Sequence, residues 1–196
     1  MDDITQFSGA PFIVGFGSAV GPGSTTEKLI AAVLSATEAL GARTYQFDNA
    51  ALAALPHYDP SKATRTSLQL AFLDAIRRAD AVVIGSPVYH GGIAGVVKNA
   101  IDLIGDLAKD TRVFLDNRPV GLVVNAGGEQ GAGVTLSAMR DIVHALRGWP
   151  TPVGVAVNAN GQSVFTVEGA INVPSVEKAV KVQAAQLMAF AKQAAY

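Results

Sequence analysis

Most of the residues able to do chemistry in this chain fall in three loop segments, each built from glycine and small polar groups. The first is Gly17-Ser18-Ala19-Val20-Gly21-Pro22-Gly23-Ser24-Thr25-Thr26-Glu27, lying between an apolar run and an amphipathic one. That position makes it the entry to a helix, where exposed backbone N–H groups carry partial positive charge and hydroxyls add neutral donors. Such a loop can hold a phosphate without lysine or arginine. A plainer role stands beside this one, because Ser24 and Glu27 have the spacing of a capping box. A capping box uses two residues and leaves Ser18, Thr25 and Thr26 as phosphate candidates, together with the Ser24 hydroxyl. No lysine follows the glycines as a Walker loop requires, and Gly15, Gly17 and Gly21 miss the dinucleotide G-x-G-x-x-G spacing by one. Asp48 stands where a ribose-binding acid would, so a dinucleotide reading is weakened and stays open.

The second segment is Ser86-Pro87-Val88-Tyr89-His90-Gly91-Gly92. Proline fixes φ and the paired glycines allow positive φ and close approach, which suits main chain that must meet a flat ligand edge-on. Packing and exposure are the plain roles for Tyr89 and His90. The third segment, Asn125-Ala126-Gly127-Gly128-Glu129-Gln130-Gly131, again offers bare backbone, although glycines also build ordinary turns. None of the three brings a Ser/His/Asp set, a carboxylate pair or a metal-ligand cluster, so no metal is expected. Of the other histidines, His57 reads as a surface residue and His144 as one that packs or hydrogen-bonds structurally. Trp149 either buries at a subunit contact or lines an acceptor pocket from a neighbouring chain.

The elements that must position these loops alternate along the whole chain. Strand-like runs are expected at Phe12 to Phe16, Arg43 to Phe47, Ala81 to Gly85, Val120 to Val124 and Val153 to Val157. Helical stripes separate or follow them: Leu29/Ile30/Val33/Leu34/Thr37, Leu68/Phe72/Ala75/Ile76, Val97/Ile101/Ile104 and Leu136/Met139/Val143/Leu146. A closing stripe, Val176/Val180/Leu187/Ala191, has one polar gap at Gln183. Five strands alternating with five helices predict an α/β doubly wound parallel sheet with helices on both faces. Pro56 to Ser61 reads as loop, and Asn158 to Gly169 as a surface hairpin or loop. With no repeat or linker, residues 1–196 are expected to form one domain. In such a sheet ligands bind beyond the carboxyl ends of the strands, where strand order reverses, and the three loops belong to that end.

Composition narrows the class. The chain has no cysteine, which leaves no disulfide, thiolate metal site or thiol catalysis and points to the cytoplasm. Net charge is −1 with basic residues scattered, so neither nucleic acid nor a membrane surface is an expected partner. Met1 to Ser8 carries two aspartates and no basic residue, unlike a signal peptide, and no apolar run is long enough to span a bilayer. Hydrophobic residues make up 49% of the chain, which suggests apolar surface buried between subunits.

At the second loop the sequence resembles the NADPH-dependent FMN reductases of the flavodoxin-like superfamily. Ser86-Pro-Val-Tyr-His-Gly-Gly-Ile-Ala-Gly-Val-Val-Lys-Asn-Ala-Ile-Asp-Leu is similar to that family's S-P-x-Y-x-G-x-x-x-G-x-L-K-N-x-x-D signature, with Val97 in place of the leucine. The first loop is similar to the family's G-S-x-R-x-x-S phosphate loop, and Asn125 to Gly128 to its glycine pair. The resemblance implies a flavodoxin-like fold and FMN as cofactor, with Ser18, Ser24, Thr25 and Thr26 on the phosphate. It further implies Pro87, Val88, Tyr89, His90 and Gly91 along the isoalloxazine, their N–H groups near O4 and N5, and Gly127 and Gly128 at the pyrimidine end. Lys98, Asn99 and Asp102 would order their helix and a subunit contact. Ala19, Val20 and Gly21 occupy the stretch where the family carries an arginine, so the phosphate would rest on dipoles and hydroxyls.

The activity implied is hydride transfer from NAD(P)H to flavin N5 and then to a second acceptor, either a small molecule or a flavin-dependent monooxygenase. No side chain is certain to be catalytic, and a homodimer or homotetramer is expected. Alternatives are a quinone, azo or nitro reductase with bound FMN, a flavodoxin-type electron carrier, and an interaction protein without flavin.

Overall fold

The computed structural model describes residues 9–17, 23–161 and 163–191. Its elements run β1 (Phe12–Phe16), α1 (Thr25–Glu38), β2 (Arg43–Phe47), α2 (Asn49–Ala54), α3 (Ser67–Arg78), β3 (Ala81–Tyr89), β4 (Gly92–Ile93) and α4 (Gly95–Leu103). A 3-10 turn over Ile104–Lys109 leads to β5 (Pro119–Ala126), α5 (Glu129–Ala145), β6 (Trp149–Pro150), β7 (Val155–Asn158) and α6 (Pro174–Ala191). The sheet order is β2-β1-β3-β5, with β6 and β7 both paired to β5 along its far edge. Every pairing is parallel except that of the short β4 with β3. This is the expected doubly wound, flavodoxin-like sheet, with seven strands rather than five.

Alternation along the buried strands builds two cores. Ile13, Val83, Val123 and Val155 face α1 and α6, packing with Leu29, Ile30, Val33 and Leu187. Val14, Phe16, Val82, Ile84 and Leu122 face the other layer, with Phe72, Ile76, Val97 and Met139. Phe72 meets Phe16 and Phe47 edge-on, each at 5.1 Å between ring centroids.

Three departures from the sequence expectation have local causes. The run expected at Val153 to Val157 pairs only from Val155, as β7, and a second short piece, β6, pairs with β5 ahead of it, with residues 151–154 between the two. Pro152 brings no N–H to the ladder, and Gln183 bridges the break by donating from Nε2 to Leu122 O (3.0 Å) and Val153 O (2.9 Å). The polar gap in the α6 stripe is therefore a fully buried side-chain replacement for missing sheet hydrogen bonds. Second, α2 forms after β2 because Asp48 caps it, accepting from Ala51 N–H at 2.8 Å. Asp48 has a structural role there, and the dinucleotide reading loses its acid. Third, β3 continues through Tyr89 and folds back through His90-Gly91 onto β4. Both turn residues have positive φ, 52° and 78°, the requirement of a two-residue type I′ hairpin.

Candidate functional site

The chain passes from β1 outward to β2 and returns across β1 to β3, so strand order reverses between β1 and β3. The three sequence-selected loops leave the carboxyl ends of β1, β3 and β5. Adjacent register holds them together: Phe16 lies opposite Ile84, and Pro87 opposite Asn125. Gly17, at the tip of β1, has φ +132°, and a Cβ there would stand 2.6 Å from the carbonyl carbon and amide nitrogen of Gly85. Only glycine lets the two tips approach so closely.

From that tip the chain enters α1 at Thr25. Ser24 caps the helix, its Oγ accepting from Glu27 N–H at 3.2 Å. The reciprocal half of the expected capping box is shifted: the Glu27 carboxylate accepts from Gly23 N–H (2.8 Å) and Asn49 N–H (3.1 Å), tying the loop to α2. Thr25 and Thr26 occupy the first turn, where N–H groups have no intrahelical acceptor. The Oγ1 of Thr26 is buried and finds no partner among the described residues. Lys28 stands over the Phe165 ring, 5.8 Å from its centroid. Ser18, with Ala19, Val20 and Gly21 of the arginine gap, lies outside the described residues.

The second loop is the β3–β4 hairpin. Ser86 is fully buried; its Oγ donates to Pro87 O (2.7 Å) and accepts from Ala94 N–H (2.9 Å), fastening both arms at their base. The sequence gives no sign of that role beyond the serine's place in the motif. Val88 is half-buried, while Tyr89, His90 and Gly91 are exposed at the tip. Beyond β5, Gly127 and Gly128 run into α5, and a Cβ at either would meet nothing within 4 Å. Beside Pro87, Asn125 has a buried Oδ1 with no partner among the described residues.

Other candidates are placed elsewhere. His57 is exposed after α2, and His144 is exposed in the last turn of α5 rather than packed. Trp149 pairs with Pro119, the first residue of β5, and so lies at the opposite end of the sheet from the loops. It is 58% exposed, and within its own chain it does not line them. Asn99 accepts from Tyr58 N–H at 2.7 Å, holding the segment after α2, and Lys98 pairs with Asp102 at 2.6 Å along α4. Also at the far end, Arg118 is fully buried and donates to Ile76 O at the carboxyl end of α3.

An open parallel sheet whose ligand loops leave the strand tips at the β1/β3 reversal defines the flavodoxin-like class. Within it, the NADPH-dependent FMN reductase family model matches residues 12–162, and the chain belongs to that family. It is 35% identical over 92 residues to the FMN-dependent NADPH-azoreductase of Staphylococcus haemolyticus, covering 47% of this chain and 45% of the relative. It is 38% identical over 95 residues to the iron-sulfur flavoprotein of Archaeoglobus fulgidus, covering 48% and 46%. The chain thus spans about half the length of the curated relatives it matches. Among solved structures it is similar to FerB, a flavoenzyme NAD(P)H:(acceptor) oxidoreductase from Paracoccus denitrificans. The TM-score is 0.75 at 16% identity, covering 94% of this chain and 98% of that one. A WrbA-like flavodoxin from Agrobacterium tumefaciens superposes at 0.61 with 19% identity, covering 94% and 99%.

The residues present fit FMN. A helix N-terminus with an unpaired hydroxyl suits the phosphate, a buried acceptor at the same end of the sheet suits a polyol, and two glycines with open space above them suit a flat ring.

Proposed function

We propose that this chain binds FMN at the β1/β3 reversal and oxidises a reduced nicotinamide nucleotide, passing the electrons to a second acceptor. The observation that carries the reading is the convergence on one sheet end of the α1 N-terminus, the exposed hairpin tip and the bare Gly127–Gly128 backbone. FMN, when bound, would supply the two-electron redox chemistry between nicotinamide and acceptor. The chain's own part is positional. First-turn N–H groups of α1, with the Ser24, Thr25 and Thr26 hydroxyls, hold the phosphate through the helix dipole. Main-chain donors of the exposed tip, from Tyr89 to Gly91, would stabilise negative charge on the ring edge by preorganisation. The Ser86 hydrogen bonds keep those donors fixed at no reorganisation cost during turnover. No side-chain acid or base is required.

The acceptor is a small molecule or a flavin-dependent monooxygenase, because the hairpin tip stands open to solvent. The sequence holds no cysteine and supplies no thiolate for a cluster. A homodimer or homotetramer belongs to this reading, supported by the exposed Leu70, Trp149 and Phe190; so does a cytoplasmic location, supported by the cysteine-free composition.

The test is titration of flavin-stripped protein with FMN, FAD and riboflavin, then steady-state oxidation of NADH and NADPH. FMN binding stronger than that of riboflavin, with nucleotide oxidation, is expected. Binding of no flavin would overturn the assignment, and binding without oxidation would make the chain an electron carrier.

A further inference from the structure

Asn125 is an unusual residue for its place. It follows Val123 and Val124 near the end of the central strand β5, with Pro87 opposite it on one side and Val157 on the other. Side chains alternate along a strand. Val123 packs with α1 and α6 and Val124 with the opposite layer, so Asn125 returns to the α1 side. Below it on that side lie Val123 and then Gly121, against Leu187 and Gln183. A leucine would continue this surface. Instead a carboxamide oxygen is buried there without a donor among the described residues. Native proteins rarely leave such a group unpaired, and one that persists calls for a partner that the described residues do not supply.

The partner must be a hydrogen-bond donor, which excludes a phosphate oxygen. Thr26, the other unpaired buried group at this end, lies on the same side of the sheet: a Cβ at Gly85 would stand 3.1 Å from its Cγ2. Asn125 therefore sits between the α1 N-terminus, suited to the phosphate, and the hairpin and glycine loops, suited to the ring. In a flavin the atoms between phosphate and ring are the hydroxyls of the ribityl chain. We propose that Asn125 reads the ribityl chain, accepting a hydroxyl proton at Oδ1, and is a specificity-determining residue for flavins that carry one. The proposal rests on the FMN reading above.

The experiment measures dissociation constants of flavin-free protein for riboflavin and lumiflavin, which has the same ring and no ribityl, by quenching of flavin fluorescence. Asn125→Leu should weaken riboflavin about 5- to 20-fold and change lumiflavin less than twofold. Asn125→Asp, which keeps the acceptor, should hold riboflavin within about threefold of wild type. The urea midpoint of flavin-free Asn125→Leu should equal or exceed that of wild type, since an unpaired buried oxygen is removed. Equal weakening of both flavins, no weakening of either, or a lowered midpoint would overturn the proposal. Wild-type protein that binds FMN but not riboflavin would overturn the proposal alone, whereas protein that binds no flavin, FMN included, would overturn the FMN reading itself and the proposal with it.

Discussion

Replacing Gly17 with alanine tests whether the β1 and β3 tips approach as closely as described. At φ +132° an alanine backbone is strained by about 1–3 kcal/mol. The new Cβ also has nowhere to go: it would lie 2.6 Å from two backbone atoms of Gly85 and closer still to its oxygen, and β3 is held there by pairing with β1 up to Ile84 and with β5 at Gly85. Separating the tips costs roughly another 1–3 kcal/mol, as overpacking does elsewhere. The sum, about 2–6 kcal/mol, is a large share of the 5–15 kcal/mol typical of a domain. At about 2–4 °C per kcal/mol for a chain of this size, the melting temperature of flavin-free Gly17→Ala should fall by roughly 5 to 20 °C. Gly127→Ala is the matched control, because its Cβ would meet nothing within 4 Å. It should melt within about 2 °C of wild type and yet bind FMN at least tenfold more weakly, since the added methyl would fill the space proposed for the ring. Calorimetry and FMN titration on both variants decide the matter. A Gly17→Ala protein as stable as wild type would refute the close approach, and undiminished FMN affinity in Gly127→Ala would remove the third loop from the site.

Ser86→Ala leaves the buried Ala94 N–H without its acceptor and should cost about 1–3 kcal/mol in urea unfolding, with weakened FMN binding; an unchanged midpoint would show the hairpin is held otherwise. His90→Ala should lower turnover less than tenfold, whereas a loss of about a thousandfold would make the imidazole a proton donor. Burial, with the like charge of Arg112, pushes the Arg118 guanidinium down to about 10, so between about pH 10 and its ordinary value the unfolded chain binds more protons than the folded one. Stability attributable to this group therefore rises with pH across that window and is absent below it. In urea titrations wild type should gain on Arg118→Met by up to about 1.4 kcal/mol per pH unit above pH 10, and parallel curves would refute the shift.

The fold was legible because its periodicities are strong: buried runs such as Ala81 to Gly85 and stripes such as Leu29 to Thr37 leave little choice of element. What escaped was structure held by single polar side chains. Nothing in a window around Val153 shows that Gln183, thirty residues on, will donate to Val153 O and patch the sheet. Asp48 carries the same letter whether it binds ribose or caps α2, and only the 2.8 Å contact to Ala51 N–H decides. The hairpin was hidden for another reason: glycine pairs signal a turn, but His90 at φ 52° had to be seen before its type was known.

Of the candidate site, what was legible was the placing of three loops at one end of the sheet, not a mechanism, and that follows from what the loops are made of. A site built on acids, bases or metal ligands announces its chemistry by residue type; the one proposed here would work through backbone N–H groups, which every residue but proline carries. Sequence then reveals it through what it lacks, bulk at Gly127 and Gly128 and charge between Ser24 and Thr26. Glu27 sharpens the point. Its carboxylate, at the very helix end suited to an anion, is already committed to the N–H groups of Gly23 and Asn49. Gly23 and Asn49 are therefore tied to α1 by a negative charge, and Lys28 stands against Phe165. A phosphate held here relies on the α1 dipole and hydroxyls alone, which favours a flavin that exchanges over one that stays.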